Sequence, residues 1–515
     1  MRSRTIHLDL LILTFVFCFC SPGFSEQTEK EFLDMIPGGE IDFAMIVDLG
    51  YRYSDSAALV KANLKTKEIL ALQAKATETS TLGGAVSQSA NRNEQANPFA
   101  AQILSARQIS TNWQTNLDTG TSFRAEVSSN QTDLRFTTPG TPPIPEYESR
   151  LSFSLRQSLW RNGFGKNQNA VKEAANSRSS SINASFASEL GSWLLNLHNL
   201  YAEAWFAQKR VQFANERIKI QQRLLRIINV LRSRGTALET DSLNVRQTLM
   251  SQKKSADSSK LSLKELWHRL IILLKLPERF LELDPSKIPI SLSSGDDLMQ
   301  NYCKASDLSF AVSDDVPAHA ALKQEIEALK LDSKRLVNET KPDLYLALSA
   351  GANDWDNEFS RTATRTVGFK HPDYLISLGV EVDMRQNIRD VEYLQNSLNL
   401  QRSELQLSSI KAEARIQWTN ACATVRSLLQ DKEQLEKIIS LGKRRSRLEE
   451  ERFALGKVTA ETVIRASSEL VANQEALALT EISLARSFWQ LKDLKAEIPT
   501  FIKQAVANSR INPNE

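Results

Sequence analysis

Proline is missing from two long stretches of this 515-residue chain: none lies between Pro145 and Pro277, and none between Pro372 and Pro499. Both stretches are built mainly of Ala, Leu, Glu, Gln, Lys, Arg and Ser. Without the strongest helix breaker, such segments can run on as single helices, and at about 1.5 Å per residue a helix of about 65 residues reaches about 100 Å. Ordinary globular helices are far shorter. Histidine is scarce as well. Beyond residue 25 there are only His198, His268, His319 and His371, none at metal-ligand spacing from another or from a cysteine, so no metal site is expected. GFGKN at 163–167 lacks the length and the Ser/Thr of a phosphate-binding loop. No grouping of nucleophile, base and orienter emerges, and neither catalytic residues nor a cofactor is expected. Of four cysteines only Cys303 and Cys422 lie outside the first 25 residues, too few for a disulfide framework in a chain this long. No run of eighteen apolar residues follows residue 25, which excludes a transmembrane helix. Excess charge is absent too: 64 Lys and Arg stand against 61 Asp and Glu, a balance that argues against a nucleic-acid partner.

The chain opens with two arginines in MRSRTIHLD, an apolar LLILTFVFCFC and the small-residue stretch around Gly23 and Ser25. This is the pattern of an export signal over 1–25. Phe17 and Phe19, before Cys18 and Cys20, disfavour lipidation.

Each proline-free span carries a glycine followed by a similar string, RSRGTALETDSL at Gly235 and FALGKVTAETVI at Gly456, separated by 221 positions (456 − 235 = 221). Downstream of Gly456, residues Val463, Leu470, Leu477, Leu484 and Leu491 repeat every seven, the spacing of a coiled-coil seam. Subtracting 221 gives Ser242, Leu249, Ala256, Leu263 and Leu270. The seam recurs with only its first position polar, and the chain reads as a tandem duplication. Gly235 and Gly456 then mark the turn at the tip of a helical hairpin, where a residue without Cβ takes positive φ.

Alternating segments precede each helical run. DYLISLGVEVDMR sets Tyr374, Ile376, Leu378, Val380, Val382 and Met384 on one face, and RLSFSLRQSLW does the same through Leu151, Phe153, Leu155 and Leu159. Two further candidates are 111–127 and 341–354, giving strand, loop, strand, long helix in each repeat. Strands of about ten residues, apolar on one side and with aromatics near their ends (Trp113, Tyr147, Trp160, Trp355, Tyr374), fit a membrane β-barrel; a soluble antiparallel sheet reads the same way, and the export signal is what favours the barrel. Four strands cannot close a barrel in lipid, so the strands must be pooled among copies.

From about residue 55 to 498 the chain resembles the TolC-like outer-membrane efflux proteins. The marks are the duplicated unit, SLRQSLWRNGFGKNQNAV and GVEVDMRQNIRDVEYLQ before the long helices, ETKPDLYLALSAG entering the third strand, and the turns GTALETDSL and GKVTAETVI. The resemblance implies a mainly α fold with a membrane β part. Three copies form a twelve-stranded barrel, four strands per chain, continuous with a long periplasmic α-helical barrel. It also implies an exit channel of a tripartite efflux pump or type I secretion system in the cell outer membrane, reaching into the periplasm, with a periplasmic adaptor protein, an inner-membrane pump and outer-membrane lipid as partners. The competing class is a periplasmic coiled-coil structural or adaptor protein.

The implied organisation is signal 1–25, N-terminal segment 26–54, first repeat 55–276, linker 277–316, second repeat 317–498 and tail 499–515. In the family the hairpin tips are the gate and adaptor-docking end, with an aspartate six residues after the turn glycine. Asp241 fits that pattern, whereas Thr462 and Arg465 stand at the acidic positions of the second repeat. The gate candidates are therefore Asp241, Glu461 and Arg465; those for turn and adaptor contact are Gly235, Thr236, Leu238, Gly456, Lys457 and Val458.

Overall fold

The structure, a computed structural model, describes residues 40–75, 79–90, 102–135, 146–235, 238–292, 302–303, 316–382, 384 and 386–508. The expected export signal and Thr236 lie outside the described residues.

The proline-free spans are helices of the expected length. α4 (Lys166–Ser233) runs 68 residues and α8 (Gln386–Ala454) 69, while their return helices α5 (Glu239–Leu273) and α9 (Ala460–Leu494) have 35 each. The return helices start 221 positions apart (460 − 239 = 221). Between each pair the chain reverses at a glycine with positive φ, +74° at Gly235 and +71° at Gly456. The Gly456 amide bonds to Phe453 O at 2.9 Å and the Lys457 amide to Arg452 O at 2.9 Å, which satisfies the last carbonyls of α8. Most of the heptad row lies inside: Val463, Leu470, Leu484 and Leu491 on α9 are buried, as are Ser242, Ala256, Leu263 and Leu270 on α5, while Leu477 and Leu249 are half-buried.

The largest core sits at the hairpin bases. Short helices α1 (Phe43–Tyr53), α2 (Asp55–Leu64) and α3 (Thr66–Lys75) precede the sheet, and α10 (Ile498–Asn508) ends the described chain. α1 and α10 close over α4, α5 and α9, burying Phe43, Val47, Leu49, Trp267, Phe280, Trp489, Ile498 and Ile502 together. A large apolar side chain buried so completely contributes about 1.5–3 kcal/mol. The linker joins this waist through a parallel bridge of Ile290 to Ile41, and Tyr201 Oη donates to Ile41 O at 2.9 Å. Cys303 and Cys422 form a disulfide that clasps the linker to α8. The pair is thus a single staple and not a framework. Sequence patterns gave no role to residues 40–54 or to the chain after Pro499, yet both segments complete this core, because their short apolar runs acquire meaning only against the other helices.

The sheet corrects the expected four strands per chain. Among the described residues six strands, β1 (Ser80–Ala90), β2 (Gln102–Asn116), β3 (Thr121–Arg135), β4 (Tyr147–Ser158), β5 (Asp343–Asp356) and β6 (Pro372–Glu381), pair antiparallel in chain order. The segment 111–127, read as one strand, is a hairpin. Its turn, 117–120, is closed by Leu117 N to Thr121 O at 2.8 Å and holds Gly120 at φ +70°. Four turn residues leave the odd-even parity unchanged, so Thr115 and Phe123 lie opposite each other on one face and the hairpin reads as a single alternating run. β1 escaped notice because STLGGAVSQSA carries only two large apolar residues. α6 (Pro317–Glu339) leads straight into β5, and the polar loop after β5 contains α7 (Phe359–Val367).

Candidate channel wall and its two ends

Register sorts the sheet into two unlike faces. One row, Leu82, Trp113, Ala125, Phe153, Ala350 and Tyr374, is apolar on every strand. The neighbouring row on the opposite face reads Gly83, Asn112, Glu126, Ser152, Gly351 and Asp373. Aromatic rings continue the apolar face across strands, with Trp113 and Phe123 centroids 5.5 Å apart and Phe123 and Phe153 6.3 Å apart. Along β5 the apolar face runs from Leu344 to Ala352, roughly 26 Å at about 3.3 Å per residue, close to the ~25 Å apolar band of outer-membrane barrels. Above it the face turns polar and is covered by α7: Thr366 Oγ1 donates to Ser149 O at 3.2 Å, and Arg365 pairs with Asp356 at 3.0 Å. Trp355, expected among the aromatics of the barrel ends, falls on the polar face opposite Glu148. Among the described residues no helix is long and apolar enough to cross a membrane.

The polar face ends, where the sheet meets the helices, in a cluster of charges. Arg156 on β4 lies 3.0 Å from Asp343 and 2.9 Å from Glu381, with its guanidinium 3.8 Å from the centre of the Tyr345 ring. Asp343 also accepts from Ser158 Oγ at 2.5 Å and stands 3.9 Å from Arg161. Arg156, Ser158, Arg161, Asp343 and Glu381 line an open recess of about 790 Å³ together with Arg335 and Glu339. Beside it the β2–β3 turn is anchored to the start of α4 by the Lys172–Asp118 ion pair. No sequence pattern singled out Arg156, Asp343 or Glu381, since partners so far apart in the chain meet only through strand register.

At the other end the helix tips carry the residues expected there. Gly235, Leu238, Gly456 and Lys457 are exposed, while Val458 is half-buried against a small core of Leu224, Ile228, Val245, Phe453, Ala460 and Val463. That core packs the two hairpins together, and Arg223 on α4 pairs with Glu450 on α8 at 2.9 Å. Asp241 lies in the first turn of α5 and Glu461 in that of α9, with Arg465 one turn on. Acidic groups suit these N-terminal turns. Among the described residues no ion pair joins Asp241, Glu461 and Arg465 within one chain; the nearest to the first hairpin's tip is Arg232–Glu239 at 3.9 Å.

His198 and Asp493 are among the groups of the waist whose titration is shifted. Burial, helped by the positive charge of Arg486, pulls the His198 imidazole down to about 4. Its ring sits edge-on to Phe43, 5.0 Å between centroids. Burial pushes the Asp493 carboxyl up to about 6. Asp493 fits because residue 191 is glycine: a Cβ there would overlap its carboxylate.

The sequence matches no protein-family model and no curated protein. Solved structures do match over nearly the whole chain. The outer membrane protein VceC from Vibrio cholerae is 13% identical with TM-score 0.63, covering 88% of this chain and 96% of its own. The Campylobacter jejuni CmeC outer membrane channel is 11% identical with TM-score 0.62, covering 93% and 92%. The open state of the Neisseria gonorrhoeae MtrE outer membrane channel is 12% identical with TM-score 0.55, covering 88% of each chain.

Proposed function

We propose that this chain, whose fold is that of the TolC-like outer-membrane channels, is the exit duct of an efflux or secretion system, built from three copies. The observation that carries this reading is the sheet, apolar across one face and polar across the other, joined end-on to paired helices about 100 Å long. A sheet with open edges cannot rest in lipid, because unpaired backbone groups there cost several kcal/mol each. Closure with further copies removes the edges, turns the apolar face to lipid and makes the polar face a water-filled lumen. The 221-residue offset of the helical hairpins supports a duplicated chain, and two hairpins per copy supply a periplasmic tunnel under the barrel.

The tips are then the periplasmic mouth. We assign the gate to Asp241, Glu461 and Arg465, paired between hairpins of neighbouring copies, and adaptor contact to Thr236, Leu238, Lys457 and Val458 around Gly235 and Gly456. The partners are a periplasmic adaptor and an inner-membrane pump of the tripartite or type I secretion kind. The chain contributes no chemistry of its own: polar walls and an ion-pair constriction set who passes and when.

Bilayer recordings of the purified protein test this. Discrete channels are expected, with larger conductance in the Arg465→Ala and Asp241→Ala variants. Absence of channels, with the protein found among soluble periplasmic contents, contradicts the reading.

A further inference from the structure

We propose that β1 of each copy pairs with β6 of the next, so that the barrel has eighteen strands, six from each of three chains, and not twelve. The inference rests on the trimeric channel reading and concerns which strand edges form the seam.

The hairpin β1–β2 is an insertion. In the second half of the chain α6 ends at Glu339 and β5 begins at Asp343, whereas in the first half α3 ends at Lys75 and the equivalent strand, β3, begins only at Thr121. That equivalence follows the 221-residue offset, which carries 343 to 122. The inserted strands do not lie aside from the wall. β1 bonds to β2 along its whole length, and β2 to β3 with one irregularity at Ile103/Ser105.

Strand direction allows the seam. The six strands alternate, so β6 and the β1 of a neighbour run antiparallel, as every other pair does. Length allows it as well, at 11 residues for β1 and 10 for β6. Neither edge carries the devices that keep a free edge from pairing. β1 contains no charge and no proline, and β6 has them only at its ends, in Pro372, Asp373 and Glu381. On the apolar face the outermost strands are the barest, Leu82 and Val86 being 77% and 79% exposed and Tyr374 and Ile376 73% and 74%. Leu155 and Leu348, flanked on both sides, are 36% and 38% exposed. A neighbouring copy's edge supplies the missing flank to both. Barrels of about sixteen to eighteen strands enclose an aqueous channel where about eight are filled by side chains, so the membrane segment is wider than a twelve-stranded wall permits.

Double-cysteine variants of the full chain, oxidised in the outer membrane, test the seam. One set joins Ala85 or Ser87 on β1 to Leu375 or Ser377 on β6; the other joins Glu126 or Ser128 on β3 to the same β6 positions. All are polar-face sites, and heat-modifiable migration checks that each variant folds like the parent. Reducible dimers and trimers in the first set alone are expected. Products in the second set alone overturn the inference while leaving trimeric closure intact, with β3 as the seam strand. Products in neither set count against trimeric closure itself. Strand counting on images of the unmodified trimer gives the same answer without substitutions: eighteen is expected, and twelve overturns it.

Discussion

Arg156 on β4 stands 3.0 Å from Asp343 on β5, an ion pair that fastens the last strand of the chain's first half to the first strand of its second. Asp343 is nearly buried and Arg156 is not, so the two ends of the pair are not equivalent. Removing the arginine strands a carboxylate with Ser158 and the more distant Arg161, at a cost of about 1–3 kcal/mol. Arg156→Ala is therefore expected to lower the melting temperature of the protein in detergent more than Asp343→Asn does. Equal effects would show that the junction is held by other contacts.

Gly165 and Gly235 share a positive φ but not surroundings. A Cβ on Gly165 would overlap the Asp118 carbonyl of the β2–β3 turn, whereas one on Gly235 meets nothing. Gly235→Ala should cost only the strain of the left-handed backbone, about 1–2 kcal/mol. Gly165→Ala should cost well beyond that and detach the turn from α4, read as a larger fall in melting temperature than Gly235→Ala produces.

The waist responds to pH in two opposite ways. His198 is held down at about 4, against 6.5 unfolded. Its contribution is present above pH 6.5 and lost as pH falls toward 4, by up to about 3 kcal/mol. Asp493 is raised from 3.8 to about 6, so the stability linked to its neutral form is full below 3.8 and lost as pH rises through 6. Asp493→Asn should thus raise the melting temperature at pH 8 and leave it unchanged below pH 4. A gain that is the same at both would assign the effect to packing and not to charge.

Reducing the Cys303–Cys422 bond frees the linker from α8 across 119 residues of chain. In the chain-entropy account closing so long a loop is worth at most about 4–5 kcal/mol. Reductant is expected to lower the melting temperature of the helical portion, and Cys422→Ser to reproduce the shift without further response to reductant. Superimposable melts with and without reductant would show that the waist core holds the linker unaided.

Much of this architecture was legible in local sequence. Proline-free composition fixed the lengths of α4 and α8, and a seven-residue repeat of apolar positions fixed the faces that α5 and α9 bury. The glycines at 235 and 456 marked the turns. What local patterns did not reveal are features whose meaning lies elsewhere in the chain. An even-numbered turn at 117–120 hides a hairpin inside one alternating run, and Gly-rich β1 shows too few large side chains to announce its face. Arg156 and Asp343 meet only through strand register. Phe43 and Ile502 form a core only with helices hundreds of positions away.

The central claim is that the sheet is completed by other copies and lies in the outer membrane. Light scattering of the protein extracted from outer-membrane fractions tests it most directly, with the detergent contribution subtracted. A particle of three chains that aggregates when detergent is withdrawn is expected. A single chain that stays monodisperse in plain buffer would contradict the account.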